Sequence, residues 1–164
     1  MKHKILIVED QFIEANNLRL ILDREGYTVI PIASSFAEAI EMLDRHNPDM
    51  VLLDIYLDGT LTGIDIAKIL IARKIPFVYL SANSNRKIFL AAKATKPFGF
   101  LVKPFRKRDV LATLEVAFEL NEVMQKLHLK TSTEKNESRI EGFAEIANII
   151  TRSRPMQNII EQIR

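Results

Sequence analysis

Glu9 and Asp10 close one short apolar run of the sequence, Asp54 closes another, Ser81 a third and Lys103 a fourth, the lysine being followed by Pro104 and Phe105. Taken singly, each is an ordinary polar residue at the end of an apolar segment. Taken together they describe a chemistry. Three carboxylates gathered in a partly dry site repel one another strongly, so they need a cation or raised pKa values. A hard divalent ion held by one or two carboxylates, water and a phosphate answers that need, and Mg²⁺ is that ion. Lys103 adds a compact positive charge and Ser81 a hydroxyl donor. A carboxylate flanked by cation, ammonium and hydroxyl is the setting that a phosphoryl group requires around its equatorial oxygens.

These residues meet only if the runs before them are neighbouring strands. Ile5–Val8, Thr28–Ile32, Met50–Asp54, Phe77–Ala82 and Phe100–Val102 are short, rich in β-branched or aromatic residues, and lack polar alternation. Such continuous runs are covered on both faces. Helix-period segments lie between them: Ile13, Leu18, Ile21 and Leu22; Phe36, Ala39, Ile40 and Leu43; Ile64, Ala67, Ile69 and Leu70; then Ile88, Phe89 and Ala92. The order βαβαβαβαβ followed by a helix predicts an α/β fold, a doubly wound five-stranded parallel sheet with helices on both faces. Ligands of such sheets bind beyond the carboxyl ends of the strands, where the five positions stand.

Glu9-Asp10, the run Leu52-Leu53-Asp54-Ile55-Tyr56-Leu57 with Gly63 further on, Ser81-Ala82, and Phe100-Leu101-Val102-Lys103-Pro104-Phe105 resemble, in this order and spacing, the receiver domains of two-component response regulators. The match covers residues 3–125. The resemblance implies a flavodoxin-like sheet of order 2-1-3-4-5 and a cis Lys103–Pro104 bond. It also implies that Asp54 is the phosphoacceptor for a sensor histidine kinase or phosphotransfer protein. Glu9, Asp10, Asp54 and the backbone carbonyl of Tyr56 would serve the Mg²⁺ ion. Lys103 would pair with the acyl phosphate, and Ser81 would swing to hydrogen-bond it. Phe100 takes the place of the family's switch aromatic; lacking the hydroxyl of tyrosine, it would act by packing alone. A second Lys-Pro-Phe, at 96–98, follows a helix end instead of an apolar strand and receives no role.

Composition removes other classes. The 164 residues are 48% apolar and 27% charged, contain no cysteine, and have a mean hydropathy of +0.03, which suits a packed core and excludes disulfide scaffolds, thiolate metal sites and cysteine nucleophiles. The longest apolar runs are strand-sized, and the first ends in two acids, so neither a membrane span nor a signal peptide is expected. Net charge is +2, spread evenly along the chain, and Arg106-Lys107-Arg108 is diluted at once by Asp109, so no direct contact with nucleic acid is expected. There is no Gly-x-Gly-x-x-Gly and no P-loop. Asp54-Ile-Tyr-Leu-Asp58 spaces its acids wrongly for a haloacid-dehalogenase phosphatase, and the receiver resemblance implies a self-phosphorylating acceptor and not a turnover enzyme. His3, His46 and His128 lie apart from the acids and read as solvent-exposed. A soluble cytoplasmic protein is expected.

The predicted organisation is a receiver over residues 1–125, a helix extension and polar linker over 126–138, and a helical stub over 139–164. The helix that starts near Arg106 keeps its period to about Leu129, with Val110, Leu111, Leu114, Ala117 and Phe118 on one face. Val116, Leu120, Val123 and Leu127 form an opposite, coiled-coil-like seam that predicts a homodimer. Lys130–Ser138 has no apolar residue and reads as the linker; Ser153-Arg154-Pro155 reads as the start of a further helix. Residues 149–163 resemble the entry to the AAA+ domain of sigma-54-dependent activators, so the chain is expected to be a fragment of such a regulator. The alternative is a stand-alone receiver serving as an interaction or dimerisation module.

Overall fold

The computed structural model describes residues 2–82 and 85–152, with 134–152 described as backbone only. In chain order the elements are β1 (Lys4–Val8), α1 (Phe12–Arg24), β2 (Thr28–Val29), α2 (Phe36–His46), β3 (Met50–Asp54), α3 (Gly63–Arg73), β4 (Phe77–Ser81), α4 (Arg86–Ala94), β5 (Phe100–Val102) and α5 (Lys107–Arg152). All sheet pairings are parallel, in the order β2-β1-β3-β4-β5. The expected doubly wound, flavodoxin-like fold is present.

The chain divides into two compact units, Met1–Asn121 and Glu122–Arg164. In the first, alternation along the strands feeds two cores. Leu6 and Val8 of β1 pack with Ala39 and Leu43 of α2, Ile66, Ala67 and Leu70 of α3, and Ala92 of α4. Ile5 and Ile7 pack on the other face with Ala15, Leu18 and Leu22 of α1 and with Val110, Leu114 and Ala117 of α5. Both faces of the sheet are therefore dry, which is why its strands carry no polar alternation.

Two elements differ from their sequence reading. The second strand, expected over Thr28–Ile32, is regular only at Thr28–Val29, with an isolated bridge from Val8 to Ala33. One extra residue interrupts the register there: Ile30 donates to the Ile5 carbonyl at 2.9 Å, and the next bond to β1, to the Ile7 carbonyl at 3.0 Å, comes from Ala33 in place of Ile32. Lys130–Ser138, expected as a linker, is helical. Polarity without proline or glycine does not end a helix, and the Thr131, Ser132 and Thr133 hydroxyls bond the Leu127, His128 and Leu129 carbonyls one turn back at 2.9, 2.8 and 2.9 Å. The further helix expected from Ser153 lies outside the described residues. His3 is exposed, with its ring stacked 4.2 Å from that of Phe118, and His46 is half-buried at the end of α2.

Gly63 fixes how close α3 comes to the end of β3. Its N–H donates to the Ile55 carbonyl at 3.0 Å, and a Cβ at this position would overlap the backbone carbonyl of Asp54. Asp65 caps the same helix, its carboxylate accepting from the Thr62 N–H at 2.7 Å. Gly63→Ala must therefore push α3 away from the strand end that carries Asp54. The expected loss in urea unfolding is about 2–3 kcal/mol. A change within about 0.5 kcal/mol, the range of an ordinary surface substitution, would show that α3 does not depend on that approach.

Candidate functional site

The site is built at the carboxyl ends of four strands, β1, β3, β4 and β5. Register between β1 and β3 pairs Val8 with Leu53, which brings Glu9 and Asp10 beside Asp54. Glu9 and Asp54 are buried, at 1% and 4% exposure, and Asp10 is half-buried. One carboxylate oxygen from each of the three lies within 4.8 Å of the others, a set of hard oxygen donors suited to a divalent cation. Each acid is also oriented by a backbone N–H. Gln11 donates to Glu9 Oε1 at 3.0 Å, Tyr56 to Asp54 Oδ1 at 3.1 Å, and Asp58 to Asp10 Oδ2 at 3.1 Å.

Lys103 enters from the end of β5. Its backbone N–H donates to the Ser81 carbonyl at 2.9 Å, and the Lys103–Pro104 peptide bond is cis, as the resemblance implies. The ammonium donates to Glu9 Oε2 at 2.7 Å and to Asp54 Oδ2 at 2.9 Å. A third carboxylate, Glu14 on the first turn of α1, places Oε2 at 2.6 Å from the same nitrogen, in charge contact without a hydrogen bond. Glu14 was not among the residues singled out from the sequence. The one available signal is its place one turn before the buried Leu18, on the flank of α1 that faces the sheet; a glutamate in a first helical turn otherwise reads as a dipole partner.

Ser81 sits at the end of β4, half-buried, with its hydroxyl directed to the Ala82 carbonyl at 3.4 Å. Phe100 is half-buried and pairs with Tyr79 in the β4–β5 ladder. Its ring lies 5.6 Å from that of Tyr79 and 4.9 Å from that of Phe89 on α4. The Tyr79 hydroxyl in turn shares a 2.7 Å hydrogen bond with Thr95 at the end of α4. A cleft of about 290 Å³ opens between these elements, lined by Tyr56, Ser81, Ile88, Phe89 and Val102 among others.

Burial pushes the Glu9 carboxyl up to about 8; the Lys103 hydrogen bond pulls it down, and neighbouring Asp54 pushes it further up. Burial alone would lower the Lys103 ammonium, yet contacts with Glu14, Glu9 and Asp54 hold it above the ordinary lysine range. The Lys103 ammonium thus stands where the carboxylates converge, and their contacts favour its charged form.

The sequence profile of the response regulator receiver domain matches residues 5–115. The chain belongs to the response regulator receiver family. It is 33% identical over 115 residues to the transcriptional regulatory protein PdtaR of Mycobacterium tuberculosis, covering 70% of this chain and 56% of that protein. To the positive alginate biosynthesis regulatory protein of Pseudomonas aeruginosa it is 36% identical over 121 residues, covering 73% and 48% respectively. The chain thus spans about half the length of these curated relatives. Among solved structures, the signal receiver domain of a modulated diguanylate cyclase from Desulfovibrio desulfuricans is similar at 30% identity with a TM-score of 0.71, covering 76% of this chain and 99% of that one. Receiver domains act in two-component signalling as phosphoacceptors, not as turnover enzymes, and bind Mg²⁺ in an acidic pocket; the acid set described above fits that ion. No helix of the described residues is long and apolar enough to cross a membrane.

The raised Glu9 pKa has a measurable consequence for the metal-free receiver. Its folded form holds a proton that the unfolded chain releases near 4.5, so this contribution to stability is complete at low pH and is lost as pH rises towards about 8. The difference in unfolding free energy between the parent protein and Glu9→Gln, measured with chelator present, should decline over that range. The slope should approach ~1.4 kcal/mol per pH unit. A difference that stays flat or climbs with pH would show that Glu9 is not held protonated by its burial.

Proposed function

We propose that Asp54 takes a phosphoryl group from a sensor histidine kinase or phosphotransfer protein, and that the change is passed through α4, β5 and α5 to a transcription-regulating output. The observation that carries this reading is the Lys103 ammonium, hydrogen-bonded at 2.9 Å to an acid that is 4% exposed and joined by two further acids. In the transfer, an Asp54 carboxylate oxygen forms the new bond to phosphorus while the bond from phosphorus to the donor nitrogen breaks and the donor histidine keeps the electron pair. Mg²⁺ held by Glu9, Asp10, Asp54 and the Tyr56 carbonyl would neutralise charge on the phosphoryl oxygens. The backbone of Lys103 is tied to β4, so its positive charge is already beside the acceptor when the phosphoryl group arrives.

Ser81 is positioned one residue beyond the β4 partner of Asp54 and would turn its hydroxyl from the Ala82 carbonyl to the phosphoryl group. Phe100 would then move towards the space left by that turn. Because its ring packs on both Tyr79 and Phe89, a shift of Phe100 would move α4. Phe12 and Ile13, 78% and 74% exposed on the first turn of α1, support a contact there with the phosphodonor. The exposed Val116, Leu120, Val123 and Leu127 support association of two copies through α5. The printed role of PdtaR, a transcriptional regulatory protein, supports a transcriptional output. The resemblance of residues 149–163 to sigma-54-dependent activators supports that class, in the cytoplasm.

Incubating the chain with acetyl phosphate and Mg²⁺ should add one phosphoryl group by intact mass, and Asp54→Asn should add none. Sedimentation of the same samples should show the association state changing with phosphorylation. An unchanged mass would remove the phosphoacceptor reading. A phosphorylated protein with unchanged sedimentation would leave α5 as a constitutive dimerisation or interaction element.

A further inference from the structure

Glu14 has no part in the proposed transfer, yet it lies 2.6 Å from the ammonium that the transfer depends on. Its carboxylate is not among the three that come within 4.8 Å of one another, so within the described residues it stands outside the metal-binding set. Among the described residues its charged partner is Lys103, and the contacting oxygen is buried and accepts no hydrogen bond. Burying a charged oxygen without a hydrogen bond is costly, and the attraction of the ammonium must offset that cost. The side chain as a whole is 32% exposed, so Glu14 could reach solvent if it released the lysine.

We propose that Glu14 is a positioning residue that retains the Lys103 ammonium in the unphosphorylated arrangement and so biases the receiver against its phosphorylated form. This rests on the reading of Asp54 as phosphoacceptor. Lys103 presents three donors, and two are committed to Glu9 and Asp54. A phosphoryl group on Asp54 brings additional negative charge beside this ammonium and draws it from the three-carboxylate arrangement. Glu14 opposes that in two ways. It competes for the ammonium, and its own negative charge faces the incoming oxygens across a partly dry site. When water attacks phosphorus and the Asp54 oxygen–phosphorus bond breaks, inorganic phosphate leaves, the carboxylate is regenerated, and the three-way contact with Lys103 re-forms. The α1 position of Glu14 adds a consequence: release of Lys103 would free a side chain on the helix turn that carries the exposed Phe12 and Ile13.

The test compares the full chain with Glu14→Gln and Glu14→Ala. Beryllofluoride at saturating Mg²⁺ serves as an equilibrium mimic of the phosphoryl group, its affinity is read by titration calorimetry, and Mg²⁺ affinity and thermal unfolding are measured separately. Both variants lack the charge but differ in volume. Both should bind the mimic about three- to tenfold more tightly than the parent, the scale of one partly screened charge contact. Affinity that is unchanged or weaker in Glu14→Gln, or that tightens only in the smaller alanine variant, would overturn the proposal, because a packing role follows volume and not charge. Failure of the parent chain to take a phosphoryl group from acetyl phosphate would instead remove the reading of Asp54 beneath it.

Discussion

A single ammonium decides whether the rest of this arrangement is tolerable. Parallel strands whose ends carry Glu9, Asp10 and Asp54 bring three acids to one edge of a dry sheet, and α1 adds Glu14. Lys103 stands at 2.6–2.9 Å from three of these four acids. Removing one partner from such a buried group typically costs about 3–5 kcal/mol, because the charges left behind are uncompensated. The Lys103 backbone is tied to Ser81 on the adjacent strand, so the charge is delivered by the sheet and does not depend on a mobile loop.

The surrounding fold keeps that edge in place at close tolerance. Gly63 lets α3 approach the Asp54 carbonyl more closely than any side chain would allow. Backbone N–H groups of Gln11, Tyr56 and Asp58 aim one oxygen of each acid and leave others for the ammonium or a cation. Beyond the acids, the rings of Phe77, Tyr79, Phe100 and Phe89 form a continuous aromatic path from the sheet to α4. The Tyr79–Thr95 hydrogen bond anchors the far end of that helix, and Thr95 also bonds the Ala92 carbonyl at 2.6 Å.

Much of this was legible because buried parallel strands carry an unmistakable pattern. Ile5–Val8, Met50–Asp54 and Phe100–Val102 announced themselves by continuous apolar runs, and strand ends are where polar residues become informative. The shortness of β2 was concealed because its apolar run continues through Ile30-Pro31-Ile32, while the step between its bonds to β1 lengthens from two residues to three. The polar stretch at Lys130–Ser138 misled in the opposite direction, because its hydroxyls bond within the helix instead of breaking it. Glu14 escaped notice for a geometric reason. Its contact joins the first turn of α1 to Lys103, just past the end of β5, a pairing of residues far apart in sequence that no local period records.

The central claim is that Lys103 acts as counter-ion to Asp54 in the folded protein. The most direct measurement is a double-mutant cycle in metal-free urea unfolding with Lys103→Met, Asp54→Asn and the double variant. Lys103→Met should lose about 3–5 kcal/mol, and adding Asp54→Asn should recover a substantial part of that loss, giving a coupling energy above ~1 kcal/mol. Losses that add within ~0.5 kcal/mol would mean that the two side chains are energetically independent, and the account would be contradicted.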